Sequence, residues 1–420
     1  MKFNLFMLPT IPASFEERER LRPIGRNKEK YQEMLDEIRT LAVMADEAGF
    51  DVLSTTEHHF HSEGFECSVA PLLLYADLAA RTKNIKFAPL ALVLPSWDPL
   101  RLAEEMAVLD HLTKGRLYSG FARGYQDRWT NVLGQHYHVT GAPMDGSAVD
   151  NHNRAVFEEV HKIVKMAWTQ ETIEYNSEYY SVPQPYKEGI TRWPAHEWTR
   201  KYGAPGEVDE NGVVRRICVV PAPYQDPHPP SFQPFSVSEK TIIYTAANEI
   251  TPWILTSYPP DFVRLCETYQ KVAAENGRQL GLGQGVGAFR SVHFGNTEQE
   301  AVDLMTRTNY EGFRIYFSGF GFWEAFRTPE DDAKYPRDPD NYVALPPEEW
   351  TVDRFRKVKY GLAGTVDQVL RDIEDLATIH QSQGGELEWF GWFFDQGFMD
   401  FDESRRQMET FAEKIIPRFT

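Results

Sequence analysis

The sequence predicts an α/β protein built as a closed (β/α)₈ barrel of the TIM-barrel class, and three observations support this fold. Strand-like and helix-like segments alternate along the chain, which is the pattern of a parallel sheet covered by helices. Eight strand–helix units can be counted, the number in a closed barrel. The alternative, an open doubly wound sheet, usually carries a glycine-rich turn after its first strand, whereas residues 8–12 read LPTIP.

The predicted strands are short apolar runs bounded by turn residues, and each is followed by a segment with helical spacing of apolar residues. The strands lie at residues 3–8, 50–56, 85–94, 116–122, 234–237, 252–256, 286–294 and 387–394. The helices lie at residues 30–48, 69–81, 99–114, 153–168, 239–247, 261–275, 297–308, 365–379 and 403–416. Asp98 before Pro99, and capping boxes that begin at Thr297 and Thr365, mark three of the helix starts.

Composition excludes several classes of protein. The 44 Lys and Arg against 62 Asp and Glu give a net charge of −18, which argues against nucleic acid or an anionic membrane as partner. The three cysteines are far apart and form no C-x-x-C pair, which excludes a disulfide framework and a thiolate zinc site. The longest apolar stretch, residues 87–95, is too short to cross a bilayer. We therefore expect a soluble cytoplasmic protein.

The chain is longer than a minimal barrel, which needs about 250 residues. We predict a single domain over residues 1–420, with two irregular insertions at the C-terminal face, Tyr175–Gln233 and Gly319–Trp350. Long irregular stretches inside a compact domain usually serve as lids or binding loops.

The second predicted strand is followed by three imidazoles and a carboxylate, in the segment Glu57-His58-His59-Phe60-His61. Imidazole acts as base, acid or metal ligand near neutral pH, and barrel enzymes carry their catalytic groups at strand ends. The alternative is that these histidines are structural. Neighbouring residues of an extended chain point to opposite faces, so His58 and His59 do not readily bind one ion, and no metal is predicted.

Two further strand ends suggest an anion site. Arg123 and Gly124 follow the fourth strand, where a guanidinium can bind phosphate and glycine lets the backbone approach closely. An arginine paired with a nearby carboxylate is the open alternative. After the fifth strand, Ser238 and Thr241 begin a helix, whose N-terminus can hold a phosphate.

Taken in order and spacing, these segments resemble the bacterial luciferase-like flavin-dependent monooxygenase family. The matching segments are MKF at residues 1–3, EHHF at 57–60, VLP at 93–95, LDHLTKGR at 109–116, GFARG at 120–124, GTVDQV at 364–369 and FAEKIIP at 411–417. The resemblance covers nearly the whole chain and is weakest in the two irregular stretches. It implies a luciferase-like barrel that binds FMN at its C-terminal mouth.

The resemblance also implies an activity. Family members take reduced FMN from a separate NAD(P)H-dependent flavin reductase and use O₂ as co-substrate, forming a flavin hydroperoxide that oxidises a small organic molecule. We expect an apolar or aromatic substrate, because the two insertions are rich in aromatic residues. A homodimer or homotetramer is the expected assembly.

Several residues match the family's functional positions. His58 matches the catalytic histidine, which stabilises the peroxyflavin and moves protons, and Glu57 and His59 lie beside it. Arg123 matches the phosphate-binding arginine. The other expected cofactor contacts are Gly124, Tyr125, Val237, Ser238, Thr241 and the peptide bond Leu90–Ala91, which is cis in luciferases.

Luciferases carry a reactive cysteine where this chain has Ala122, so light emission from a long-chain aldehyde is not expected. Three other functions stay open. They are a deazaflavin-dependent oxidoreductase of the same superfamily, a non-catalytic flavin-binding partner subunit and, most distant, a metal-dependent barrel hydrolase.

Overall fold

The computed structural model describes residues 1–143, 145–338, 341–395 and 397–419, without the side chains of Asp338, Asn341 and Tyr342. The strands are β1 (Lys2–Met7), β2 (Val52–Thr55), β3 (Lys86–Pro89), β4 (Leu92–Val93), β5 (Ser119–Ala122), β6 (Tyr175–Asn176), β7 (Ser181–Val182), β8 (Ser231–Ser236), β9 (Ile250–Ile254), β10 (Gly287–Phe294), β11 (Arg337–Asp338), β12 (Asn341–Tyr342), β13 (Gly361–Gly364) and β14 (Trp389–Phe393).

The α-helices follow most of these strands. They are α1 (Phe15–Arg20), α2 (Lys28–Ala48), α3 (Pro71–Ala79), α4 (Pro99–Thr113), α5 (Asp127–Leu133), α6 (Ala148–Thr169), α7 (His196–Tyr202), α8 (Glu239–Ala247), α9 (Pro259–Glu275), α10 (Glu298–Met305), α11 (Glu311–Ile315), α12 (Pro329–Lys334), α13 (Val352–Lys357), α14 (Val366–Ala377) and α15 (Phe401–Lys414). No described helix is long and apolar enough to span a bilayer.

The chain divides into two compact units. Unit 1 comprises residues 1–71, 77–91 and those from Ser231 onward, and unit 2 comprises residues 72–76 and 92–230. The single domain over residues 1–420 stays a prediction.

Unit 1 contains a parallel sheet. Its strand order is β3-β2-β1-β14-β10-β9-β8, and β13 pairs with β10 in addition. The strands β1, β2, β10 and β14 are buried along nearly their whole length, as expected for a parallel sheet covered by helices. Aromatic side chains fill this core: the Phe289 ring stacks on Trp253 at 5.0 Å. Gly391 makes room for it, because a Cβ atom there would lie 2.6 Å from Phe289.

Unit 2 holds a second set of elements. β4 pairs with β5 in parallel, and the indole of Trp168 on α6 donates to the Ala103 carbonyl on α4 at 3.0 Å. The first predicted insertion contains the antiparallel pair β6–β7 and the helix α7. Isolated bridges, among them Ile173 with Ile217, give this stretch some order.

The second predicted insertion, 319–350, lies in unit 1, and its residues 339 and 340 lie outside the described residues. Ion pairs connect it to α13. Arg354 binds Asp331 at 2.5 Å and Glu349 at 2.6 Å, and the Arg354 and Asp331 side chains are buried. The Trp323 ring is also buried and stacks on Trp350. Whether this stretch acts as a lid stays a prediction.

Seven predicted strands match observed strands to within a few residues. The third, predicted over 85–94, is observed as β3 and β4 on either side of the Leu90–Ala91 bond, which is cis as the resemblance implied. Asp98, Thr297 and Thr365 cap their helices as predicted, although Glu300 accepts from the Asn296 amide rather than from Thr297.

Candidate active site

Residues 56–68, which make up most of the segment between β2 and α3, are called the histidine loop below. Its two ends are joined by hydrogen bonds: Ser68 Oγ donates to the Thr56 carbonyl at 2.6 Å, and the His58 amide donates to the Ser68 carbonyl at 3.1 Å. Phe60 and Glu66 adopt left-handed backbone conformations, with φ of 64° and 44°. The loop therefore turns back on itself and brings residues distant in sequence to His58.

His58 pairs with a carboxylate that the sequence analysis missed. Its Nδ1 atom lies 3.0 Å from Glu66 Oε2, and both residues are buried, with exposed fractions of 5% and 2%. The Glu66 amide donates to the Thr10 hydroxyl, which follows β1, at 3.3 Å. The burial of a carboxylate in a polar loop depends on the loop's return path, so no local pattern around Glu66 could have indicated the pair.

Glu57 and His59 form a separate pair. Glu57 Oε1 lies 3.1 Å from His59 Nε2, and the Glu57 side chain is buried. The structure therefore places the predicted neighbours His58 and His59 on different carboxylates, in agreement with the alternation of side chains along an extended chain.

The third imidazole links the histidine loop to a distant part of unit 1. His61 Nδ1 lies 2.9 Å from the Phe65 carbonyl, and the Tyr316 hydroxyl lies 3.1 Å from His61 Nε2. Tyr316 directly follows α11, just before the second insertion begins, and its ring stacks on Phe65. The insertion is thus attached at its start to the loop that carries His58.

An arginine supports the histidine loop from α1. Arg18 donates to the carbonyls of Ile11 at 2.6 Å and Glu63 at 3.1 Å, and its guanidinium lies 4.5 Å from the centre of the Phe65 ring. Burial lowers the pKa of Arg18. The guanidinium of Arg18 is therefore engaged by backbone carbonyls, and its role is to stabilise the conformation of the loop.

The geometry of the histidine loop also bears on metal binding. Nitrogen and oxygen atoms of His58, His61 and Glu66 lie within 4.8 Å of one another, close enough to hold an ion. However, Nδ1 of each imidazole already lies at hydrogen-bonding distance from an oxygen, of Glu66 or of the Phe65 carbonyl. The hydrogen bond at His61 Nδ1 occupies one of the nitrogens that an ion would need, and the expectation of no metal stays a prediction.

In unit 2, Arg123 lies directly after β5. Its Nη1 donates to Asp150 Oδ1 on α6 at 2.6 Å, so the carboxylate pairing left open by the sequence is present. Burial and the neighbouring Arg154 lower the pKa of Arg123, and Asp150 acts in the opposite direction. A guanidinium has five N–H donors, and this ion pair is made through one nitrogen. A second anion at Arg123 stays a prediction.

The residues next to Arg123 have structural roles of their own. Gly124 has a φ of 81°, and a Cβ atom there would lie 2.7 Å from Val93. The Tyr125 hydroxyl accepts from the side-chain Nε2 of Gln126 at 3.1 Å. Close packing against Val93 therefore explains why residue 124 is a glycine. A cofactor contact at Gly124 and Tyr125 stays a prediction.

The predicted phosphate seat in unit 1 is present as a capped helix start. Ser238 Oγ accepts from the Thr241 amide at 3.3 Å and lies 3.0 Å from the Thr241 hydroxyl, and Ser238 is exposed. The preceding Val237 carbonyl accepts from the Thr256 hydroxyl at 3.4 Å. Hydroxyls and amides at an exposed helix N-terminus are suitable donors for an anion.

The model of the luciferase-like monooxygenase family matches residues 1–382. The chain belongs to the luciferase-like monooxygenase family, which confirms the predicted family, the luciferase-like barrel fold and the predicted enzyme class.

Individual relatives agree with this assignment. The chain is 22% identical to the oxygenase component of flavin-dependent trigonelline monooxygenase of Acinetobacter baylyi, over the whole chain and 96% of that protein. It is 33% identical to 3,6-diketocamphane 1,6-monooxygenase of Pseudomonas putida, over 34% of the chain and 38% of that protein. The solved oxygenating constituent of 3,6-diketocamphane monooxygenase, a complex with FMN, has a TM-score of 0.70 at 21% identity and covers 100% of this chain and 99% of its own.

The Glu66 pairing gives a testable prediction. We expect Glu66→Gln to lower kcat roughly 10- to 150-fold, because a polar contact with a charged group contributes about 1.5–3 kcal/mol. Flavin affinity and Tm are expected to stay near the wild-type values, because Glu66 holds the imidazole and is not proposed to contact the flavin.

Steady-state kinetics beside the matched Glu57→Gln variant measure this effect. Both substitutions remove a buried carboxylate charge from a histidine of the same loop. We expect the smaller loss of kcat in Glu57→Gln. Equal losses in the two variants, or a parallel loss of flavin binding in Glu66→Gln, would contradict a positioning role specific to His58.

Proposed function

We propose that this protein is the oxygenase component of a two-component FMN-dependent monooxygenase. It would take reduced FMN from a separate NAD(P)H-dependent flavin reductase and use O₂ to oxidise a small apolar or aromatic organic molecule. The observation that carries the proposal is the buried His58–Glu66 pair at the end of a barrel strand. The relative from Acinetobacter baylyi, named as an oxygenase component, supports it over the full chain.

The residues present fit the chemistry of FMN. In unit 2, Arg123 has a cationic group that suits a phosphate. In unit 1, the start of α8 has the Ser238 and Thr241 hydroxyls, which also suit an anion. In a chain of net charge −18, a dianionic phosphate needs such local donors. The proposed cofactor contacts also include Val237, Gly124, Tyr125 and the buried cis peptide Leu90–Ala91.

Bound reduced FMN would supply the electrons that activate O₂. The role of this chain is to hold and move a proton beside it. The Glu66 carboxylate, 3.0 Å from His58 Nδ1, would orient the imidazole and favour a proton on Nδ1, which leaves Nε2 as the nitrogen to exchange a proton with the reactants. Burial of the pair keeps bulk water from competing for that proton.

A deazaflavin-dependent oxidoreductase is the second candidate. A solved coenzyme F₄₂₀ dependent tetrahydromethanopterin reductase from Methanopyrus kandleri has a TM-score of 0.61 to this chain at 15% identity and covers 100% of this chain. The two candidates differ in their need for O₂, because a deazaflavin enzyme transfers hydride without it.

An oxygen-consumption assay separates the candidates. We expect the purified protein, with FMN, NADH and a general flavin reductase, to couple O₂ uptake to product formation for a member of a panel of small ring compounds. The panel should include trigonelline and a bicyclic ketone, since relatives are named for such substrates. Substrate conversion with reduced deazaflavin under nitrogen would favour the second candidate. The absence of turnover with either cofactor would favour a non-catalytic partner subunit.

A further inference from the structure

Arg290 is an arginine in the interior of unit 1. It lies on β10, has an exposed fraction of 0%, and donates through Nη1 to the Phe289 carbonyl at 2.7 Å. Its guanidinium carbon lies 5.1 Å from the centre of the Phe262 ring on α9. Its Nε and Nη2 atoms are buried and have no hydrogen-bond partner among the described residues. A buried charge without a counter-charge is costly, so this guanidinium requires an anionic partner.

Two more buried residues have polar side-chain atoms without a hydrogen-bond partner among the described residues. Tyr360, just before β13, and Asn309, in the π-helical turn at residues 306–310, are both fully buried. The Tyr360 hydroxyl and the Asn309 amide, like the Arg290 atoms, complete no hydrogen bond within the described part of the chain. Burial raises the pKa of the Tyr360 hydroxyl, while Asn309 and Arg290 act against the rise. The backbone brings Tyr360 to the strand that carries Arg290, because the Ser291 amide donates to the Tyr360 carbonyl at 3.0 Å and Ser291 pairs with Gly361.

The sheet changes its pairing at this point. Gly287–Arg290 pair with β14, whereas from Ser291 onward β10 pairs with β13. Arg290 is therefore the last residue before the strand changes partner. Phe262 is apolar, and burial keeps the nearby Cys266 thiol protonated by raising its pKa. His380, whose ring contacts Phe262, is itself paired with the Asp375 carboxylate at 2.8 Å. Burial lowers the pKa of Arg290 to about 9, the shift expected for a cation without a carboxylate.

We propose that Arg290, Asn309 and Tyr360 form a binding site for a small monovalent inorganic anion, of which chloride is the type. The site offers guanidinium, hydroxyl and amide donors, and each of them is a group that an anion can accept. A water molecule could accept some of these bonds but would leave the charge of Arg290 uncompensated. The proposal uses no residue of the proposed flavin chemistry and stands independently of it.

Crystals of the full chain grown in sodium bromide provide the direct test. We expect an anomalous bromine peak at hydrogen-bonding distance from Arg290 Nε and Nη2. Density at this position without anomalous signal would identify water and overturn the proposal, as would the absence of any peak.

Thermal unfolding provides the test in solution. At equal ionic strength, the wild-type Tm is expected to be higher in chloride than in gluconate, because an anion that binds the folded state stabilises it. Tyr360→Phe, which removes one donor and keeps the ring, should reduce this difference, and Arg290→Met should abolish it. An equal response to the two salts in the wild type, or an unchanged difference in Tyr360→Phe, would overturn the proposal even if Arg290→Met did not fold.

Discussion

The His58→Ala variant is expected to lose product formation by about 10²- to 10⁴-fold, the usual contribution of a positioned acid–base group. The reason is geometric. The His58 imidazole is buried and lies 3.0 Å from Glu66. His59 on the same loop pairs with a different carboxylate, that of Glu57. His59 is therefore not placed to replace the missing imidazole. His61 lies 3.8 Å from Glu66, but its nitrogens are engaged by the Phe65 carbonyl and the Tyr316 hydroxyl.

Measurement of O₂ uptake and product in the same reaction tests this expectation. If His58 handles a proton in the oxidation itself, the variant should still bind reduced FMN and consume O₂, but release it as H₂O₂. His136→Ala is a suitable control, because it removes an exposed imidazole in unit 2. Wild-type coupling of O₂ to product in His58→Ala would exclude the proposed role, and loss of FMN binding would show instead that the residue supports the cofactor site.

The sequence predicted His58 because the position of a residue after a buried strand can be read from the pattern of apolar residues. It could not predict Glu66. That pairing depends on the left-handed conformation at Phe60 and Glu66 and on the hydrogen bonds between Thr56 and Ser68 that close the loop. Such a return path is set by tertiary contacts, including the guanidinium of Arg18, which is far from the loop in sequence.

The strands also differ in how far their local sequence predicts them. Strands such as β1 and β14 are long apolar runs that are buried on both faces, so their periodicity alone indicates them. β13, with the sequence GLAG, has two glycines in four residues and exists because β10 offers it a parallel edge from Ser291 onward. Local preference for a strand is weak there, and the pairing partner decides the structure.

Arg123→Ala is expected to weaken the binding of reduced FMN about 10- to 150-fold, because a hydrogen bond to a charged group contributes about 1.5–3 kcal/mol. Riboflavin has the same ring system without the phosphate, so its affinity should change little. The selectivity for FMN over riboflavin is therefore the sharpest readout. It separates loss of a phosphate contact from general damage to the fold, which would weaken the binding of both ligands.

The test must also separate phosphate binding from a purely structural role, because Arg123 forms an ion pair with Asp150 at 2.6 Å. In that case Arg123→Ala would leave the buried Asp150 carboxylate unpaired, lower Tm and weaken both flavins alike. Arg101→Ala, which removes an arginine side chain that is 75% exposed, controls for the loss of one positive charge from unit 2. A fall in FMN affinity in Arg123→Ala, with riboflavin binding and the Arg101→Ala variant unchanged, is the result that a phosphate-binding arginine requires. Unchanged selectivity in Arg123→Ala would assign this residue to the Asp150 ion pair alone.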